Sequence, residues 1–594
     1  MNTSAGMNVS GTPEGHSWRS GIAACGVLCG WLLLTARLIQ LQGTQRQEMA
    51  ERVLRQSVFR ESIPARPGDI LDRHGTVLAT TQEVDSLYAV PVEIEDPLGW
   101  AWRVAGVLNL NADELYARLL EHRERQFLWV QRRIGEEQSE QLRALPLKKG
   151  SWGLRREYLR QQLQSPAAAH VLGLRDIDNR GRGGLEEGLD EQLQGRPGER
   201  VMMRDARGMI LEVDPDLSRP PVAGQSVISS LDLDVQRETE RELDALMQQW
   251  QPRGACAIVM HPATGEVLAM ASRPSFDPRH LQNVPEEAWK NLAVSAVFEP
   301  GSTFKPVIVA AALQQGLLQR DELIDCSYGL YRMGPRLLHD HHPYGMLSTS
   351  DVLVKSSNIG MAKIGERLGL QGLYQATVSF GFGSLTGIEL PGELPGLLQP
   401  LERWNVYSLG SIPMGQELAC TPLQLITAHA VLANGGRLIR PTLICRSVEG
   451  PAATVDGEIV RPAAEVQTPL LNAEHAEWLV QEPLRDVVLR GTGKAARTPG
   501  LSMFGKTGTA QKLDPETGTY SDRAWVVSFV CGAPAEQPQV LVLVMVDEPT
   551  APGIHYGGTV AAPVAAKILQ AAMQRITVSE AVRATAVPSF GELR

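Results

Sequence analysis

The feature that most constrains this chain is a run of 17 residues without a charge, positions 20–36 (SGIAACGVLCGWLLLTA), set between Trp18-Arg19 and Arg37. As a helix it spans roughly 25 Å, enough for a bilayer core when Arg37 snorkels and Leu38 and Ile39 add length. No later stretch is comparable, since VLVLVMV at positions 540–546 is strand-sized. The chain is therefore expected to cross a membrane once, with everything beyond about residue 42 in water. A cleaved leader is the alternative. The run continues into LIQLQGTQRQEMAERVL without a small-x-small cleavage site, which favours an uncleaved anchor. Charge does not orient it, because Arg19 stands before the run against Arg37, Arg46 and Arg52 after it.

The remainder has the composition of folded protein. Of 594 residues 43% are hydrophobic and 21% charged, too apolar for disorder and long enough for two or more domains. With 57 Lys and Arg against 67 Asp and Glu, the net charge of -10 argues against a nucleic-acid partner. Seven cysteines show no zinc-ribbon or disulfide-framework spacing; Cys25 and Cys29 share a face of the apolar run as packing or lipid-facing residues, and the rest are expected to be mostly unbridged.

Up to about residue 225 short extended pieces alternate with charged helical ones, such as RPGDILDRHGTVLA at 66–79 and NADELYARLLEHRERQ at 111–126, where Leu115, Leu119 and Leu120 recur at helical spacing. Beyond Gly224, ISSLDLDVQRETERELDALMQQW at 228–250 predicts a helix capped by Asp or Ser and carrying Val235, Leu243 and Leu246 along it. ACAIVMHPATGEVLAMAS at 255–272 reads as a hairpin of a buried sheet, and further strands come from 510–511 and 525–546. Helical sequence at 306–318, 349–368 and 421–433 lies between, so an α/β sandwich is expected whose sheet draws on both ends of the segment.

Three short motifs carry the chemistry. Ser302-Thr303-Phe304-Lys305 opens an apolar helix, which puts Lys305 one turn after Ser302 on the same face, the geometry of a nucleophile beside its base. Ser356-Ser357-Asn358 interrupts a helical stretch, where a loop or cap is the ordinary use of such residues. Lys506-Thr507-Gly508-Thr509 reads as an edge strand facing a cleft, with Gly508 leaving room for a substrate chain. Each alone is weak; the ordered set is not.

That set resembles the penicillin-binding protein and serine β-lactamase superfamily. GLEEGLDEQLQGRPGERVMMRDARG, FDP, TPLQL, LANGG, HYGGTVAAPV and RPGDILDRHGTVLA are similar to the monofunctional class B penicillin-binding proteins, the division branch with its sporulation relatives above all. One departure is Tyr158-Leu159, where that family has Tyr-Pro. The resemblance implies a tail (1–18), an anchor (19–41), an elongated α+β pedestal of the dimerisation type (42–225), a transpeptidase domain with an antiparallel sheet flanked by helices (226–575) and a C-terminal tail (576–594).

It further implies a peptidoglycan D,D-transpeptidase. Ser302 would attack the penultimate D-Ala carbonyl with Lys305 as base, in an oxyanion hole of the Ser302 and Thr509 amides. Ser356 would protonate the leaving D-Ala, Asn358 would hold the substrate amide, and Lys506, Thr507 and Thr509 would meet the terminal carboxylate. β-Lactams would acylate the same serine, and no cofactor is required. Implied partners are a polytopic glycosyltransferase of the shape, elongation and division class and other division proteins, with the catalytic domain outside the inner membrane; residues 49–58 read as a plain stalk first and as a contact for such a partner second. His339-Asp340-His341-His342 has ligand chemistry, yet four adjacent residues rarely converge on one metal ion, and a loop at the site's rim is expected. The rivals are a D,D-carboxypeptidase, disfavoured by the anchor and pedestal, and a non-catalytic β-lactam-binding scaffold.

Overall fold

The computed structural model describes residues 17–44, 58–204, 210–334, 336–448, 466–513 and 519–586. The stretch 49–58, apart from Val58, lies outside them. Two compact units are formed: residues 1–65 with 196–222, and 66–195 with 223–594.

In the first unit, Ser17–Ile39 is a helix that continues as a π turn to Thr44. Its apolar side chains are exposed, among them Ile22 at 62%, Trp31 at 69% and Leu33 at 72%. Such a surface is unfavourable in water and suited to hydrocarbon. Residues 21–43 have the length and mean hydropathy of a membrane span. The unit also holds a three-stranded antiparallel sheet of Val58–Ile63, Gly198–Arg204 and Ile210–Arg219, in that order.

The second unit is built around a five-stranded antiparallel sheet in the order Val267–Arg273, Gly254–Met260, Val540–Asp547, Tyr520–Ala533 and Phe504–Leu513. Both faces are covered, and the alternation of side chains sorts them. Leu541, Leu543 and Met545 join Ile258 and Met270 against the helices Lys305–Gln314 and Pro422–Ala433. Val540, Val542, Val544 and Val546 join Ala257 and Phe529 against Leu233–Trp250 and Ala562–Ala586. That is why VLVLVMV is apolar throughout: a strand buried on both faces has no polar phase. The 255–272 hairpin and the Asp232 cap, whose side chain accepts from the Asp234 and Val235 amides, are as the sequence suggests.

A second sheet runs Ile444–Val448, Ser226–Ser229, Ile70–Leu71, Val77–Ala89 and Leu128–Ile134, with Trp152–Gln162 also pairing along Val77–Ala89. Leu159 lies on this last strand, which has one partner, so a proline there would break no interior ladder. Helices Pro97–Leu108 and Ala112–Glu121 pack a core of Leu87, Trp100, Val104, Leu115 and Leu119. Here the sequence reading needs correction: the helix stops at Glu121, short of Gln126, and Leu120 is 42% exposed, since only the 115 and 119 positions point inward.

Below this sheet Arg160, Glu186 and Arg175 are linked by ion pairs of 2.6 and 3.4 Å, with both Glu186 and Arg175 side chains fully shielded from solvent. All seven cysteines are free; Cys25 and Cys29 are exposed and the other five buried.

Candidate active site

Ser302 lies in the turn Gly301–Thr303, directly ahead of the helix Lys305–Gln314. Every residue of that helix from Lys305 to Leu313 is buried, so it has no solvent face and is fixed by packing on all sides. The turn is fastened separately. The Gly301 amide donates to Gly415 O at 3.0 Å and the Thr303 hydroxyl to Pro300 O at 2.6 Å. Gly415 has φ +78, and a Cβ there would fall 2.1 Å from Gly301 O, so only glycine fits. His429 Nε2 donates to Thr303 O at 2.9 Å; burial holds this imidazole down at about 4, so it is neutral and its proton sits on the nitrogen facing the carbonyl.

Lys305 is fully buried, and its ammonium nitrogen donates to Ser356 O at 2.7 Å, Ser356 Oγ at 3.1 Å and Asn358 Oδ1 at 2.8 Å. Burial is the main force on this amine and pulls it down to about 7, with the charge of Asp340 acting the other way. Lys506, also fully buried, donates to the same Ser356 Oγ at 3.1 Å; burial and the neighbouring Lys305 push it well below an ordinary lysine. Two lysines from distant segments thus converge on one hydroxyl. A group poised near neutrality can take a proton at physiological pH, as a base for a serine must.

Ser356 occupies the bend between helices Thr349–Val354 and Asn358–Ser379 with φ +58, a left-handed backbone that costs a non-glycine residue about 1 kcal/mol or more. The bend turns its hydroxyl and carbonyl together toward Lys305. Ser357 caps the second helix by accepting from the Gly360 amide at 2.9 Å. The helical sequence at 349–368 is interrupted at this bend, as its Ser-Ser-Asn suggests; the second helix runs on to Ser379, with a further kink at Gly369, where φ is +66.

Lys506, Thr507, Gly508 and Thr509 lie on Phe504–Leu513, the outer strand of the five-stranded sheet. Gly508 was expected to leave room for a substrate chain. Its bare face is instead filled by the Ser302 turn: a Cβ would lie 3.0 Å from Pro300 O and Thr303 Cγ2 and 2.5 Å from Ser528 Oγ. Thr507 and Thr509 face the other way. Thr507 Oγ1 lies 2.7 Å from Thr492 Oγ1, and Thr509 Oγ1 accepts from the Gly557 amide at 3.2 Å.

The residues 339–342 do not converge as ligands. Asp340 Oδ2 accepts from Ser357 Oγ at 2.6 Å, and Oδ1 accepts from the Asn358 and Ile359 amides, the latter at 3.1 Å. Among the described residues no three His, Cys, Asp or Glu are grouped to hold a metal ion. Sequence reasoning missed this role of Asp340, along with Gly415, Thr492 and His429. Contacts between residues so far apart in the chain leave no local pattern; the sequence marks only the 339–342 stretch, as a rim loop, and HYGG, which contains Gly557.

Comparison with known proteins agrees with this geometry. The family model described as the penicillin binding protein transpeptidase domain matches residues 255–570, and that of the penicillin-binding protein dimerisation domain matches 62–229. Stage V sporulation protein D of Bacillus subtilis is 32% identical over 554 residues, covering 92% of this chain and 84% of that protein. Peptidoglycan D,D-transpeptidase FtsI of Escherichia coli is 31% identical over 570 residues, 95% of this chain and 92% of that protein. The crystal structure of penicillin binding protein 3 from Mycobacterium tuberculosis complexed with aztreonam matches with a TM-score of 0.67 at 28% identity, over 87% of this chain and 98% of that one. With two serine motifs and a Lys-Thr-Gly strand meeting on two buried lysines, in a chain matched along most of its length, this protein belongs to the penicillin-binding protein transpeptidase family, in its class B branch.

Proposed function

We propose that this protein is a membrane-anchored peptidoglycan D,D-transpeptidase that links stem peptides through a serine ester and is acylated by β-lactams. The observation that carries the reading is the position of Lys305 Nζ, bonded to Ser356 and Asn358 while Lys506 bonds the same Ser356 hydroxyl. Neutral Lys305 takes the Ser302 proton as Oγ attacks the carbonyl between the two terminal D-Ala residues. The oxyanion forms against the Ser302 and Thr509 amides, each such donor being worth about 2.7–4 kcal/mol. As the C–N bond breaks, the proton passes from Lys305 through Ser356 to the departing D-Ala nitrogen. An amine of a second stem peptide then attacks the ester, loses its proton along the same path in reverse, and frees Ser302. Asn358 holds the substrate amide. Lys506 is recharged when the terminal carboxylate arrives, since an anion beside it offsets its burial; Thr507 and Thr509 complete that contact and Gly508 lets the strand lie against the Ser302 turn.

We assign residues 1–18 to a tail inside the cell, 19–41 to the anchor, 42–225 to the pedestal, 226–575 to the catalytic domain outside the inner membrane and 576–594 to a C-terminal tail. The role we infer is septal wall synthesis beside a polytopic glycosyltransferase and other division proteins; the likeness to a stage V sporulation protein and to peptidoglycan D,D-transpeptidases supports the wall-synthetic part of it.

The test is incubation of the full chain in detergent with a fluorescent penicillin, followed by peptide mapping. Stable label on Ser302, absent in Ser302→Ala, is expected. Unlabelled wild type, or equal label on the variant, refutes the nucleophile; rapid loss of the label marks hydrolysis to water instead of transfer to an amine.

A further inference from the structure

Lys305 and Lys506 raise an electrostatic problem that the motifs leave open. Both are fully buried, and both lie 3.1 Å from Ser356 Oγ. Two ammonium groups so placed repel each other and lose their hydration, and a buried charge persists only with a partner. The groups facing Lys305 are Ser356 and Asn358 from the bend and Lys506 from the edge strand. His429, behind the Ser302 turn, is neutral. The negative charge that acts on Lys305 is Asp340, which follows the strand Arg336–His339 and belongs to none of the three motifs.

Asp340 also holds the bend mechanically. Its two oxygens take the Ser357 hydroxyl and the amides of Asn358 and Ile359, the first two residues of the helix that carries Asn358. The Asn358 side chain donates to His339 O at 3.3 Å, so the same loop grips both the backbone and the side chain of that residue. A carboxylate on a helix N-terminus is favoured by the exposed amides and the helix dipole. Here it fixes a bend whose backbone is strained at Ser356, the residue whose two oxygens define where Lys305 Nζ points.

We propose that Asp340 is a positioning residue for acyl transfer: its carboxylate fastens the Ser356–Asn358 bend over Lys305 and supplies the negative charge that acts on Lys305. This rests on the reading of Lys305 as the general base. Asp340 and Ser302 need never touch; Asp340 acts through the bend and through its field.

Two variants separate the roles. Asp340→Asn keeps an oxygen for the helix amides and an amide group for the Ser357 hydroxyl, and removes the charge. Asp340→Ala removes both. The rate of acylation by a fluorescent penicillin is measured from pH 5 to 9 on the full-length protein in detergent, with thermal unfolding alongside. Loss of a negative charge makes Lys305 easier to deprotonate, so the acid limb of both variants should move to lower pH, by about half a unit to one unit. The plateau of Asp340→Asn should stay within about threefold of wild type, and that of Asp340→Ala should fall roughly 10- to 100-fold as the bend loosens. An unmoved acid limb in Asp340→Asn overturns the charge role, and a wild-type plateau in Asp340→Ala overturns the fastening. Should Asp340→Ala not fold, the proposal stands or falls on the acid limb of Asp340→Asn. Lys305→Ala in the same assay isolates the underlying reading: undiminished acylation there refutes the base itself, whatever the Asp340 variants do.

Discussion

An alanine at position 508 would put a methyl group into the contact between the edge strand and the Ser302 turn, and the size of the disturbance can be worked from the geometry. The new Cβ would lie 2.5 Å from Ser528 Oγ and 3.0 Å from both Pro300 O and Thr303 Cγ2. Ser528 can relieve its share by rotating. Pro300 O cannot, because it also accepts the Thr303 hydroxyl, and the turn must retreat by a few tenths of an ångström to reach ordinary contact at 3.4 Å. Overpacking of this kind costs about 1–3 kcal/mol in stability. A displacement of roughly 1 Å costs about a hundredfold in rate, so a few tenths should cost acylation about tenfold. Stopped-flow acylation by a fluorescent penicillin, paired with thermal unfolding, measures both effects. Gly508→Ala with Ser528→Ala should recover part of the stability and little of the rate. A Gly508→Ala protein with wild-type rate and unfolding temperature would refute the packing argument, and full rescue of the rate by Ser528→Ala would show that the strain never reaches the turn.

Acylation in the wild type should fall as pH drops below about 7, where Lys305 takes up the proton it must be free to accept, and a stopped-flow profile reads the midpoint directly. Glu186→Ala should destabilise the protein by about 3–5 kcal/mol in denaturant unfolding, because it takes the paired carboxylate from buried Arg160 and leaves Arg175 with Asp190 alone; the acylation rate below the transition should hold. His170 and His429 are both buried, and burial holds them down at about 4, below the ordinary imidazole value of about 6.5. Between those values the unfolded chain binds protons that the folded one refuses, so each histidine lowers stability as the medium is acidified, by about 3 kcal/mol at pH 4. In His170→Phe the loss of stability between pH 6.5 and 4 should be smaller by about that amount; an unchanged slope would refute the assignment.

The sequence was informative wherever a local rule decides. Two apolar runs around the Pro/Gly turn at 262–265, and an Asp ahead of an amphipathic helix, found the 255–272 hairpin and the helix Leu233–Trp250. The three motifs contain the residues that meet at the Ser356 hydroxyl, Lys305 from the first, Ser356 from the second and Lys506 from the third. What escaped were contacts that no local rule encodes. Asp340 is a helix cap delivered from outside the helix, 18 residues before Asn358, so it does not fit the pattern of a cap one to three residues upstream. Gly508 shows the same limit from the other side: its need for no side chain was legible, while the neighbour that imposes it, the Ser302 turn, belongs to a segment some two hundred residues earlier. Leu120 was misread because a short helix with few apolar residues leaves the edge of its inward face undecided.

The order of the five-stranded sheet has a consequence for how the protein comes into being. Its middle strand is Val540–Asp547, which pairs on one side with Gly254–Met260 and on the other with Tyr520–Ala533. The strand that joins the two halves is therefore the last of the five to be synthesised. Until it emerges, the early hairpin has no partner on its inner edge and the helices that flank Ser302 and Ser356 have no completed sheet to rest on. Pairing such as Ala257 with Val544 closes a very long loop, the kind of contact that makes folding slow. A chain cut short before Val540 would keep all three motifs and lack the strand that joins the two halves of the sheet.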